Sequence, residues 1–115
     1  MKRDYRLTRS SDFRKVKETG KSYAHPIIVL IKLPNPDGLL RIGVSAGKAV
    51  GNAVTRNRAK RRMRASLSEL VKNIQPGWDL VFLARRPIVD APFSELLAVE
   101  KQLLKRAGIY REAEE

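Results

Sequence analysis

The sequence predicts an α+β fold, a two-layer sandwich in the order αβββαβα with helices packed on a mixed sheet of about four strands. Three observations carry this. The stretch from Asn52 to Asn73 contains neither Gly nor Pro, and its apolar residues recur at helical spacing. The run Ile27-Ile28-Val29-Leu30-Ile31 and the segment Asp79-Leu80-Val81-Phe82-Leu83-Ala84 have the length and composition of buried strands. At 115 residues the chain reads as one domain, residues 1–115, able to bury roughly two-thirds of the surface its unfolded form exposes.

Taken in order, residues 1–9 read as a polar arm anchored by Leu7. A short helix follows, capped by Ser10 or Ser11, with Asp12 at its positive end, Phe13 and Val16 on one face, and Gly20 closing it in a left-handed conformation. Residues 21–24 suit a brief edge strand. The apolar run 27–31 and the segment Leu39 to Ser45, separated by the turn signal Pro34-Asn35-Pro36-Asp37-Gly38, predict an antiparallel hairpin. Small residues 46–51 lead into the longest helix, capped by Asn52 and running to about Asn73. It would be about 33 Å long. Ala59, Met63, Leu67, Leu70, Val71 and Ile74 form its inward stripe.

Gln75-Pro76-Gly77 ends that helix, and a strand from Asp79 follows, its parallel pairing with the strand near Ser45 permitted by the intervening helix. Pro87 to Pro92 is loop. The last helix spans about Phe93 to Ala107, capped by Ala91-Pro92 or Ser94, with Phe93, Leu96, Leu97, Leu103 and Leu104 inward and Gly108 closing it. Residues 109–115 read as a frayed acidic tail. Trp78 reads as a cap on the core and His25 as a loop residue.

Composition excludes several functions. With no Cys and one His, there is no disulfide framework, thiolate zinc site, cysteine nucleophile or multi-histidine metal site. The longest apolar run, 27–31, falls far short of the ~20 residues that span a bilayer, and the polar start carries no signal region, so a soluble, cytoplasmic protein is expected. The acids Asp12, Asp37, Asp79 and Asp90 sit at element ends and turns, where capping explains them, and no pair at helical spacing suggests a two-metal nuclease site.

Charge is segregated along the chain. Residues 1–64 hold 17 Lys and Arg against 4 acids, whereas residues 65–115 hold 7 against 8. The net charge of +12 therefore resides in the first half, where it attracts a polyanion. No amphipathic segment with large apolar side chains suits a membrane, which leaves nucleic acid. The excess peaks in Arg56, Arg58, Lys60, Arg61, Arg62 and Arg64, six cations in nine helical positions with no acid until Glu69. Like charges at i, i+4 cost a few tenths of a kcal/mol each, a cost that a polyphosphate partner removes through guanidinium forks and counterion release. Gly51-Asn52 open the helix, and their free N–H groups make an anion site beside Lys48.

Gly43-Val44-Ser45 through Lys48, followed by Val50-Gly51-Asn52-Ala53-Val54-Thr55-Arg56-Asn57-Arg58-Ala59-Lys60-Arg61, resembles the signature of the bacterial ribonuclease P protein subunit. Leu7, Asp12-Phe13, Gly20 and the segment 79–85 extend the resemblance over nearly the whole chain. It implies a non-catalytic subunit of a tRNA 5′-processing endonuclease. The catalytic RNA subunit would perform Mg²⁺-dependent hydrolysis and hold most of the Mg²⁺, so no residue here is catalytic or a metal ligand. Lys48, Asn52, Arg56, Asn57, Arg58, Lys60, Arg61, Arg62 and Arg64 would bind ribonuclease P RNA. Phe13, Arg14, Lys17, Ile31 and Ser45 would line a cleft for the 5′ leader of precursor tRNA, between the first helix and the sheet. A left-handed βαβ crossover is also implied, against the right-handed default.

Two departures accompany the resemblance. The family often has aromatics where this chain has Lys17 and Ile31, and a commonly paired lysine is Ala49, so leader contacts would rest more on charge than on stacking. Phe13 at helical spacing fits a core position as well as a base platform. A second reading of the chain is a ribosomal or ribosome-assembly protein using the same helix on rRNA. A DNA-binding helix-turn-helix lacks the short helix that should precede the basic one, so no DNA partner is expected, and a protein-only nuclease lacks its acid and base.

Overall fold

The computed structural model describes residues 5–112; residues 1–4 and 113–115 of the expected arm and tail lie outside the described residues. The order is α1 (Ser10–Thr19), β1 (Lys21–Ala24), β2 (Ile28–Pro34), β3 (Leu40–Ala46), α2 (Ala53–Ser68), β4 (Trp78–Ala84) and α3 (Phe93–Arg106). Four strands form one mixed sheet in the order β1-β2-β4-β3. Alternation along the strands divides the side chains between two faces. Ile28, Leu30, Ile42, Val44, Leu80 and Phe82 point to α2 and α3 and build the main core. Ile31 and Val81 point the other way and, with Leu7 and Val16, form a smaller core under α1. The sandwich of sheet, α2 and α3 thus gains a partial third layer.

The expected β2–β3 hairpin is not formed, because β4 inserts between the two strands, antiparallel to β2 and parallel to β3. Two strand spacings amount to about 10 Å, a gap that a five-residue turn can cross. The turn's hydrogen bonds go to the incoming strand instead: Asn35 N–H donates to Gly77 O at 3.0 Å and Gly77 N–H to Leu39 O at 2.8 Å. Asn35 Nδ2 donates to Leu39 O at 2.8 Å and to Asp79 Oδ1 at 3.1 Å. The turn signal was sound, but local sequence carries no information about a strand that arrives 40 residues later.

Several element ends also depart from expectation. Neither Ser10 nor Ser11 caps α1; both lie inside it, after Arg9, whose side chain makes no capping bond. Gly20 is extended (φ −77°, ψ 165°) rather than left-handed. Its lack of a side chain serves a close approach, since a Cβ would lie 2.7 Å from Ile31 Cγ2 and 2.8 Å from Lys32 O. The long helix stops at Ser68, and Leu70 and Ile74 reach the core through a 3₁₀ turn at Val71–Asn73. Apolar spacing alone does not separate these two conformations. The start of the tail is pinned rather than frayed: Gln75 N–H donates to Ile109 O at 2.8 Å, and Arg111 N–H to Asn73 O at 2.6 Å. Ile109 is buried.

Leu7 does anchor the arm. It is buried, and its N–H donates to Ile42 O at 2.9 Å. Arg6 pairs in parallel with Ile42, so the arm runs along the otherwise open edge of β3. Trp78 is half-buried, with Lys32 Nζ 4.5 Å over its ring. No described helix is long and apolar enough to cross a membrane.

Candidate nucleic-acid interface

Asn52 starts α2 as expected, its Oδ1 accepting from Thr55 N–H at 3.0 Å. Ala59, Met63, Ser66 and Leu67 turn inward, which leaves Asn57, Arg58 and Arg61 exposed and Arg56, Lys60 and Arg64 half-buried at the flanks. Asn57, Lys60, Arg61 and Arg64 line one shallow groove together with the exposed Val54. Among the described residues the ion pairs are Arg41–Asp37, Arg41–Asp79 and Lys105–Glu112. None involves α2. Burial, and secondarily the Arg6 charge, hold the Arg64 guanidinium below its ordinary value.

Arg62 departs from the rest of the band. It turns away from solvent, donating from Nη1 to Ile88 O at 3.3 Å and from Nη2 to Ala91 O. A guanidinium at this helical position meets the loop after β4 before it meets solvent, a contact that sequence spacing does not reveal. Arg56 also reaches inward, to Gly51 O at 3.4 Å, while Lys48 stands exposed on the 3₁₀ turn Lys48–Val50 that links β3 to α2.

On the α1 face, Thr8, Ser10, Phe13, Arg14, Lys17, Glu18 and Ser45 line a second groove. Phe13 lies between the small core and the groove. Half-buried, it packs on the small core, and its ring lies directly over Gly43, where a Cβ would come within 2.4 Å of Cζ. The ring also forms part of the groove wall. Lys17 Nζ donates to Ser45 Oγ at 3.4 Å and bridges the groove from α1 to β3. Ile31 takes no part: it is buried beneath α1 beside Val16, because strand alternation sends it into the small core. Thr8, Ser10 and Glu18 line the groove without having been singled out, and Glu18 brings a negative charge into it.

Arg86 joins the α2 surface from outside the basic segment. It lies with Asn52 and Thr55 around a groove at the start of α2, although Arg85-Arg86-Pro87 reads only as the exit of a strand. Two basic surfaces therefore flank the β3 edge, one on each side of the sheet.

The Ribonuclease P family model matches residues 1–108. The chain belongs to the ribonuclease P protein family. The ribonuclease P protein component of Roseiflexus sp. strain RS-1 is 40% identical over 110 residues, covering 95% of this chain and 90% of that protein. The protein component of Clostridioides difficile strain 630 is 40% identical over 104 residues, 90% of this chain and 91% of that one. The Staphylococcus aureus RNase P protein superposes with a TM-score of 0.82 at 29% identity, over 93% of this chain and 98% of that chain. For the Thermotoga maritima RNase P protein the TM-score is 0.78 at 27% identity, over 88% and 96%. Membership in the ribonuclease P protein family makes the chain a tRNA-processing subunit, part of an endoribonuclease complex. The α+β order and four-stranded mixed sheet are those of its solved relatives.

Proposed function

We propose that the chain binds ribonuclease P RNA through the exposed face of α2 and holds the 5′ leader of precursor tRNA in the groove between α1 and β3, in the cytoplasm. The observation that carries this reading is the band of α2 cations with no acidic partner among the described residues. Arg58 and Arg61 are exposed, and Asn57, Lys60, Arg61 and Arg64 share one groove, an arrangement suited to consecutive phosphates. In the α1 groove, Phe13 offers a partly exposed ring edge, while Arg14, Lys17 and Ser45 offer donors to a single strand.

Among the described residues no three His, Asp or Glu side chains gather in one cluster. In this reading the catalytic RNA holds most of the Mg²⁺. The chain's own work is to bind, orient and neutralise charge.

Precursor-tRNA cleavage by the catalytic RNA, followed at low Mg²⁺ with and without the protein, tests this. The protein is expected to lower KM for substrates carrying a leader and to show no cleavage alone. Cleavage by the protein alone, or an unchanged KM, would refute the reading.

A further inference from the structure

Arg62 bonds to two backbone carbonyls three residues apart, Ile88 O and Ala91 O, at the end of the 3₁₀ turn Arg86–Asp90. That turn is short. Its internal hydrogen bonds include Ile88 N–H to Arg85 O at 2.9 Å and Ala91 N–H to Ile88 O at 3.1 Å, and Ile88 is its buried side chain. Short 3₁₀ segments have poorer hydrogen-bond geometry than α-helices, so a charge-assisted fork from outside adds to what these bonds and the burial of Ile88 supply. On its outer side the turn presents Arg86, exposed, across an open groove from Gly51, Asn52 and Thr55, with Asp90 and Val89 also in the lining.

We propose that Arg62 is a positioning residue: it clamps the Arg86–Asp90 turn to α2 so that Arg86 meets an RNA phosphodiester beside the basic band. The proposal rests on the reading of α2 as an RNA-binding helix. Neutral carbonyls leave the charge of Arg62 in place, so the residue adds to the positive field while its donors are engaged internally. Arg86 becomes a contact supplied by the second half of the chain, outside the basic segment.

The clamp is tested first without RNA. Arg62→Lys keeps the charge but loses the two-pronged fork, and amide exchange at Ile88 and Ala91 is expected to accelerate about tenfold, with β4 and α3 unchanged. Arg61→Ala serves as the control and should leave both amides protected. Unaltered exchange at Ile88 and Ala91 in Arg62→Lys overturns the clamp whatever happens with RNA.

The second arm titrates catalytic RNA at several salt concentrations. Arg86→Ala should weaken association about tenfold and flatten the salt slope by about one unit. Arg62→Lys should reproduce most of that loss despite its retained charge, and the double variant should bind no worse than Arg86→Ala. Additive losses, or full affinity in Arg86→Ala, would overturn the proposal. If Arg58→Ala and Arg61→Ala together leave RNA binding intact, the reading of α2 fails instead, and the exchange result still stands.

Discussion

Glu100 is the residue whose chemistry is most altered by the fold. It is 0% exposed in the main core, and neither carboxyl oxygen has a hydrogen-bond partner. Burial pushes its pKa up to about 9, opposed by the nearby Ser66 hydroxyl of α2. Between its ordinary value of 4.5 and about 9 the folded chain holds a proton that the unfolded chain has released. Stability therefore falls as pH rises through that window, by at most about 1.4 kcal/mol per unit. Glu100→Gln should remove this component and unfold at higher urea than the parent at pH 8; identical pH profiles would contradict it. The residue lies four after Leu96 and four before Leu104, squarely on the apolar stripe of α3. Phe13 and Gly43 offer a second test at this scale. A methyl at position 43 cannot coexist with the present ring, so Gly43→Ala should raise KM for leader-bearing precursor tRNA, as Phe13→Ala should, while catalytic RNA binds unchanged. A parallel loss of RNA binding would show that the ring serves the fold alone.

Among the elements, α2 was the most legible up to Ser68, because the Asn52 cap has its own side-chain signal and the inward stripe through Leu67 and the charge band share one helical period. Arg58→Ala and Lys60→Ala should each weaken association with catalytic RNA by roughly 1–3 kcal/mol and flatten the salt dependence, with urea midpoints unchanged. Shifted midpoints would mean that these side chains brace the protein instead. Spacing placed Arg62 in the same band, and only the tertiary contact with the loop after β4 separates it from its neighbours. Ile31 was misassigned for the converse reason: a position in a continuous apolar run does not disclose which face of a doubly covered sheet it meets. By contrast, α1 is secured by little, with Val16 its fully buried side chain. Val16→Ala removes part of a side chain whose burial contributes about 1.5–3 kcal/mol, and should loosen the groove between α1 and β3 before the main core. Groove-lining residues exchanging no faster than those of α2 would refute that order.

At the scale of the whole molecule, charge and topology divide differently along the chain. All of the positive excess precedes residue 65, whereas the inner strand β4, which joins β2 to β3, comes after it. The first division could be counted from the sequence. The second could not, since order within a sheet depends on long-range pairing that no local pattern encodes. Only the parallel β3–β4 neighbourhood was accessible, through the helix that joins them. The placement of β4 also governs how the protein can be made. A nascent chain leaving the ribosome exposes β2 and β3 as separated strands with no partner between them, and the sheet closes only when residues 78–84 emerge. Until then the polycationic helix is already translated but has no completed scaffold to lie on, so the newborn protein passes through a stage in which its positive charge precedes its architecture.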